Sequence, residues 1–258
     1  MPLSADEIWR TSTKELLDLI NTGRLAPKNR AIRFYGPSFM YYKTSYYSSS
    51  LMHFPTISLT GTACTLNCKH CEGKVLQTMQ PAESPKKLFT LATKLKHLGA
   101  FGCLLSGGCL PDGSIPLTRF IPTIEKIKRE LGLTVFIHTG IIRLDTAIAL
   151  KNAGVDAALI DVIGSDETVK QIGNQSVTVK DYADSLKALQ QADLKFVPHV
   201  IVGLHDGRLK GELNALKLIA PVNPSAIVII AFMPIFGTAM AEIKPPQPTE
   251  IARIIATA

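Results

Sequence analysis

Three of the chain's five cysteines fall within eight residues, in the run CTLNCKHC from Cys64 through Cys68 to Cys71. Thiolates with three and then two residues between them on one tight loop can hold three irons of a cubane cluster. The fourth iron then lacks a nearby protein thiolate, and an open metal position is what a catalytic site offers to a substrate. Two other uses of such cysteines fit less well. A structural zinc site pairs two half-sites, yet only Cys103 and Cys109 remain, and Cys103 sits in a strand-like run. A ferredoxin carries a fourth cysteine at its own spacing, which is missing here. A secreted disulfide framework would scatter its cysteines instead of clustering them.

Other residues with chemical capacity stand at the ends of apolar runs: Ser106-Gly107-Gly108 followed by Cys109, His138, Asp161, His199 with Ile201 and Gly203, and Met233. Each alone has an ordinary explanation. A Gly-Gly pair is commonly a turn, an Asp can cap a helix, and a His on an apolar strand is commonly a hydrogen-bonded core residue. Their recurrence at successive strand ends is what chance does not supply.

The elements that must position them begin near Pro55. Strand-like runs TISLTG (56–61), CLLSGG (103–108), TVFIHT (134–139), AALIDVIG (157–164), FVPHVIVG (196–203) and AIVIIAFMP (226–234) alternate with helix-like segments at 85–98, 117–131, 144–153, 179–192 and 207–219. A last helix starts at Pro248 and the sequence stops inside it, so we expect the protein to continue beyond this point. The strands lack strict polar alternation, as when both faces are buried. Six β-then-α units predict a parallel α/β sheet. No GxGxxG follows the first strand, which argues against a dinucleotide-binding sheet. Unusual residues gathered at C-terminal strand ends favour a partial (β/α)6 TIM-like barrel. Residues 54–258 are expected to form that core. Residues 1–53 read as an arm: one amphipathic helix in ADEIWRTSTKELLDLINTG, then a Tyr- and Ser-rich extended stretch over 34–50.

The chain's 258 residues suffice for one such domain. The apolar runs are too short to span a bilayer and the N-terminus lacks a secretory core, so a cytoplasmic protein with no membrane partner is expected. A formal charge of +7 permits an acidic partner, although the basic residues mostly alternate with acids as on solvated helices.

The spacing C-x3-C-x2-C after the first strand of a six-unit β/α chain resembles the radical S-adenosylmethionine superfamily, from about residue 54 onward. The resemblance implies a [4Fe-4S] cluster on Cys64, Cys68 and Cys71 whose open iron chelates the amino and carboxylate groups of S-adenosylmethionine. An electron from an external donor then breaks a sulfur–carbon bond, giving a 5′-deoxyadenosyl radical that abstracts hydrogen from the substrate. It also implies that Ser106, Gly107 and Gly108 form the turn receiving the methionyl amine, with Cys109 in place of the usual acidic residue. His70 takes the aromatic position that stacks on adenine, and Asp161 meets a ribose hydroxyl or the methionyl end. Ile201 and Gly203 resemble the strand-five adenine contact. Met233, within Phe232-Met233-Pro234, resembles the strand-six segment that lines the adenine.

The longer pattern SLTGTACTLNCKHCEGKVLQTM, LSGGCLPDGSIPL, HTGII, LIDVIGSDET and HVIVGLHDG resembles the biotin-synthase-related group that includes components of the two-protein archaeal-type lipoyl synthase. That implies sulfur insertion into an octanoyl chain on an acidic lipoyl carrier protein, alongside a second radical S-adenosylmethionine subunit. Cys109, which could ligate or carry sulfur, and His138, which could face substrate, are then the candidate catalytic residues. Cys103 and Cys109 alone are too few for a second all-cysteine cubane, so a partner or a further C-terminal segment would supply it, or the reaction is another one. A radical enzyme acting on RNA and a non-enzymatic iron–sulfur or zinc module stay open beside this reading.

Overall fold

The computed structural model describes residues 3–24, 43, 45, 52–173 and 176–258. Two short helices, α1 (Ala5–Arg10) and α2 (Thr13–Asn21), precede a sheet of seven strands. These are β1 (Thr56–Ser58), β2 (Gln80–Pro81), β3 (Gly102–Ser106), β4 (Thr134–His138), β5 (Ala157–Asp161), β6 (Phe196–Val202) and β7 (Val228–Ala231). Their order is β2-β1-β3-β4-β5-β6-β7, and every neighbouring pair is parallel. The intervening helices are α3 (Pro85–His97), α4 (Ile121–Leu131), α5 (Leu144–Asn152), α6 (Asp166–Ile172), α7 (Val179–Gln191) and α8 (Glu212–Ile219). After β7 comes α9 (Pro248–Thr257).

One face of the sheet meets the helices. Ile57, Leu105, Val135, Ile137, Ala158, Ile160 and Val202 are wholly buried there, packed with residues such as Leu88, Ile124, Leu150 and Leu189. Each Val, Ile or Leu among them contributes about 1.5–3 kcal/mol by leaving water. The other face is only half covered, so burial alternates strictly along β4 and β6. Both faces were expected to be buried, and the inner one instead lines a cavity.

The sheet curls. From β1 to β7 a flat sheet would place strand ends roughly 24 Å apart, at about 4.8 Å per step. Yet the loop after β1 touches the loop after β7: the Ala239 N–H donates to Glu72 Oε1 at 2.7 Å, and Lys74 Nζ donates to the Phe236 carbonyl at 3.1 Å. These side-chain bonds span the unpaired seam of a partial barrel.

Helix bounds follow the sequence closely where caps are strong. Ser84 accepts from the Lys87 N–H ahead of Pro85, and Gly132 closes α4 in the left-handed region at φ +60°. The expected helix at 207–219 starts later, at Glu212, because Gly207 and Gly211 take positive φ in the preceding turn. The expected single N-terminal helix is two. Thr11 and Ser12 break it, and Ser4 with Glu7 and Ser12 with Glu15 form consecutive capping boxes. Arg253 of α9 donates to the Trp9 carbonyl and to Thr13 Oγ1, fastening this pair to the barrel. The stretch 34–50 lies outside the described residues apart from Lys43 and Ser45. No helix among the described residues is long and apolar enough to cross a membrane.

Candidate functional site

At the C-terminal ends of the strands the curled sheet encloses a cavity of about 290 Å³. Cys64, Cys68 and Cys71 all line it, on the loop that follows β1. Backbone bonds from the Cys71 and Glu72 N–H groups to the Cys68 carbonyl, at 3.0 and 2.7 Å, tighten that loop. Asn67 and Glu72 take left-handed φ of 43° and 45° where it turns, a conformation sustained only when the surroundings fix it. Those surroundings are visible. The Lys69 N–H donates to the Ile172 carbonyl at the end of α6, and the Thr65 N–H to the Cys109 carbonyl.

Ser106, Gly107 and Gly108 end β3 against this loop and line the same cavity. Gly108 donates its N–H to Thr60 Oγ1 at 2.7 Å. A Cβ on Gly108 would lie 2.0 Å from the Ala63 carbonyl oxygen and 2.6 Å from the Cys64 Cα. The residue must therefore be glycine so that β3 can pack on the cysteine loop. Cys109 follows and lines the cavity too, its thiol pushed up to about 12 by burial and by the neighbouring loop cysteines. Burial also raises the Cys71 thiol. Such thiols ionise when a metal ion takes the proton's place. Cys103 faces the helices, 1% exposed, its thiol likewise held near 12 by burial.

Opposite the cysteines stand His138 at the end of β4, Asp161 at the end of β5 and His199 within β6. His138 Nε2 lies 3.5 Å from Asp161 Oδ2, and His199 Nδ1 lies 3.5 Å from Asp161 Oδ1. Burial opposes the charge on Asp161, but the two imidazoles outweigh it and hold the carboxyl well below its usual range. Burial also opposes the imidazolium of His138, and Asp161 outweighs it, raising that pKa. The carboxylate keeps 41% of its side chain open to the cavity.

His70 lines the cavity with its pKa lowered by burial, and its buried Nδ1 has no hydrogen-bond partner among the described residues. Ile201 also lines the wall. Gly203 and Met233 do not. Gly203 turns the chain at φ +79° against the Pro246 ring and donates its N–H to Glu212, and Met233 is 65% exposed. Sequence reasoning passed over Thr60, Glu72 and Lys74, whose contacts fix the loop; their proximity to the cysteines was the available signal.

A curled parallel sheet with thiols, paired glycines and an unpartnered imidazole nitrogen at its C-terminal mouth defines a class: α/β barrel proteins that hold a thiolate-ligated metal group facing a cavity. Residues 58–208 match the Radical SAM superfamily, and the chain belongs to it. Biotin synthase of Alkalilimnicola ehrlichii is 26% identical over 213 residues, 78% of this chain and 62% of that protein. Biotin synthase 2 of Polaromonas sp. is 30% identical over 212 residues, 78% and 60% of the respective lengths. This chain thus spans about three-fifths of the length of these relatives. The crystal structure of methylornithine synthase (PylB) shares the fold at a TM-score of 0.60 and 16% identity, covering 78% of this chain and 59% of that one. The superfamily implies a [4Fe-4S] cluster and S-adenosylmethionine. Soft sulfur donors around one cavity and an unsatisfied His70 nitrogen beside them fit such groups.

Proposed function

We propose that this chain is a radical S-adenosylmethionine enzyme whose core spans 54–258, with 1–53 as an arm, and that it inserts sulfur at unactivated carbon. One observation carries the reading: the three cysteines of the superfamily's spacing share a single cavity wall at the strand C-termini. When bound, the cluster and S-adenosylmethionine supply a 5′-deoxyadenosyl radical for removal of a substrate hydrogen atom.

The chain's own residues divide the remaining work. Cys64, Cys68 and Cys71 hold the cluster and leave one iron for the methionine end. The Ser106–Gly108 backbone receives the methionyl amine, with Gly108 keeping that backbone against the cysteine loop. His70 faces the adenine, as does Ile201, and Asp161 offers its open edge to a ribose hydroxyl or to the methionyl end. Gly203 shapes the turn after β6, and Met233, exposed after β7, is the remaining candidate on the adenine side. Apolar residues such as Leu66, Leu76 and Ile141 line the cavity, and a site that excludes water protects a reactive intermediate. His138 faces the substrate side, and Cys109 is a sulfur held neutral until a metal ion meets it.

The likeness to biotin synthases supports sulfur insertion as the reaction class. The finer reading is an octanoyl chain on an acidic lipoyl carrier protein as substrate, with a second radical S-adenosylmethionine subunit and an external electron donor as partners. Anaerobic reconstitution tests both levels. Dithionite reduction with S-adenosylmethionine should release 5′-deoxyadenosine, and octanoylated carrier should gain the mass of added sulfur. Cleavage without sulfur gain would retire the finer reading, and absence of cleavage would retire the enzyme.

A further inference from the structure

We propose that His138, Asp161 and His199 form a second metal site, for a single divalent transition ion, on the wall facing the loop cysteines. The three side chains come from adjacent parallel strands. Asp161 is the register partner of His199, and His138 pairs with Leu159, two residues before Asp161 on its strand. The pleat turns all three to the inner face. Their ligating atoms lie within 4.8 Å of one another.

The spacing accommodates an ion as well as it does the ion pairs of His138 and His199 with Asp161. Each His nitrogen stands 3.5 Å from its own oxygen of Asp161, beyond the 2.7–3.2 Å usual for such a bond. Metal–ligand bonds of about 2.0–2.2 Å hold adjacent ligand atoms roughly 3 to 4 Å apart, so the observed arrangement closes on an ion with small side-chain rotations. Two imidazoles and one carboxylate on one face are a donor set for iron(II), with zinc as the other common occupant. The unfilled positions point into the cavity, where they can hold a donor atom of the substrate across from the cysteine loop. A carboxylate bound through one oxygen leaves its second oxygen for a ribose hydroxyl, so the site is compatible with the role of Asp161 given above. The assignment rests on the His–Asp–His geometry and not on the cluster.

The test uses the full chain carrying Cys64→Ser, Cys68→Ser and Cys71→Ser, so that loop thiolates do not compete, and cobalt(II) alone as the probe. Equilibrium dialysis should give one cobalt per chain, with visible d–d absorption of nitrogen and oxygen ligation. His138→Gln, His199→Gln or Asp161→Asn should each weaken binding about 100-fold or more, since even indirect partners of a metal site cost 10–100-fold. Circular dichroism reports whether each variant is folded. No binding by the folded protein, binding indifferent to the three substitutions, or a thiolate charge-transfer band placing the ion at Cys109 would each overturn the site. If the triple variant does not fold, metal analysis of the cluster-reconstituted chain replaces it. One metal ion per chain beyond the cluster (iron, zinc or cobalt), lost in His199→Gln while cluster absorbance stays, supports the site. Equal metal content in both overturns it. Failure here leaves 5′-deoxyadenosine formation untouched, so the two proposals fail separately.

Discussion

The cavity has two walls built on different principles. The sulfur wall is a loop: its cysteines are placed by backbone hydrogen bonds from Thr65, Lys69 and Cys71, and by a glycine that lets β3 press against it. The nitrogen–oxygen wall is sheet: His138, Asp161 and His199 are placed by strand register and pleat. Loop placement depends on a handful of individual bonds, whereas strand placement is shared along a hydrogen-bonded ladder. Chemical softness follows the same division, with polarisable thiols on the loop and imidazole and carboxylate on the sheet. The walls should therefore respond differently to substitution.

The largest effect is expected from Cys64→Ala, Cys68→Ala or Cys71→Ala. Each should abolish cluster iron and 5′-deoxyadenosine formation to background; retained cleavage in any of them would remove that cysteine from the site. Next is Gly108→Ala, whose methyl would collide with the Ala63 carbonyl. Such overpacking costs about 1–3 kcal/mol, read as a lower denaturation midpoint together with lower iron retention. Unchanged iron retention would show that the loop does not depend on β3. Thr60→Val leaves the Gly108 N–H without its acceptor, at a cost of up to about 1–3 kcal/mol. It should act on the sulfur wall alone, and thermal melts with and without reconstituted cluster would reveal a stability loss larger in the loaded protein.

The smallest effect belongs to the other side. Glu212 is buried, which raises its pKa, while its Oε1 accepts the Gly203 N–H. Between its ordinary value and that raised one the native state binds the proton more tightly than the unfolded chain, so stability falls as pH rises through this window. Glu212→Gln keeps the acceptor and removes the charge. It should raise the melting temperature slightly at pH 7 and leave it unchanged at pH 4. A decrease at pH 7 would mean that the carboxylate's charge is itself required.

Much of this architecture can be read from residue order alone. Six of the seven strands coincide with apolar runs, because the face turned to the helices is wholly buried and supplies Val, Ile, Leu or Ala at alternate positions. β2 escapes such reading. It has two residues, one of them proline, and exists only through pairing with β1. Helix α6 also goes unread, being seven residues of mixed polarity, although Ser165 caps it by accepting from the Thr168 N–H. The break between α1 and α2 was written in two Ser-x-x-Glu motifs, which periodicity alone had merged into one helix. Within the site, the cysteine loop declares itself by spacing. The meeting of His138, Asp161 and His199 does not, since it depends on a register between strands that no local pattern encodes. Gly203 adds a placement that residue order does not show, a turn at positive φ packed against the Pro246 ring.

The bridge from Glu72 and Lys74 to the 236–239 loop ties the site to the closure of the barrel. The same short segment that carries the cysteines also latches the two edges of the sheet. The loop that carries the three thiols and the closure of the sheet are therefore one mechanical unit, so a displacement of either is felt by the other.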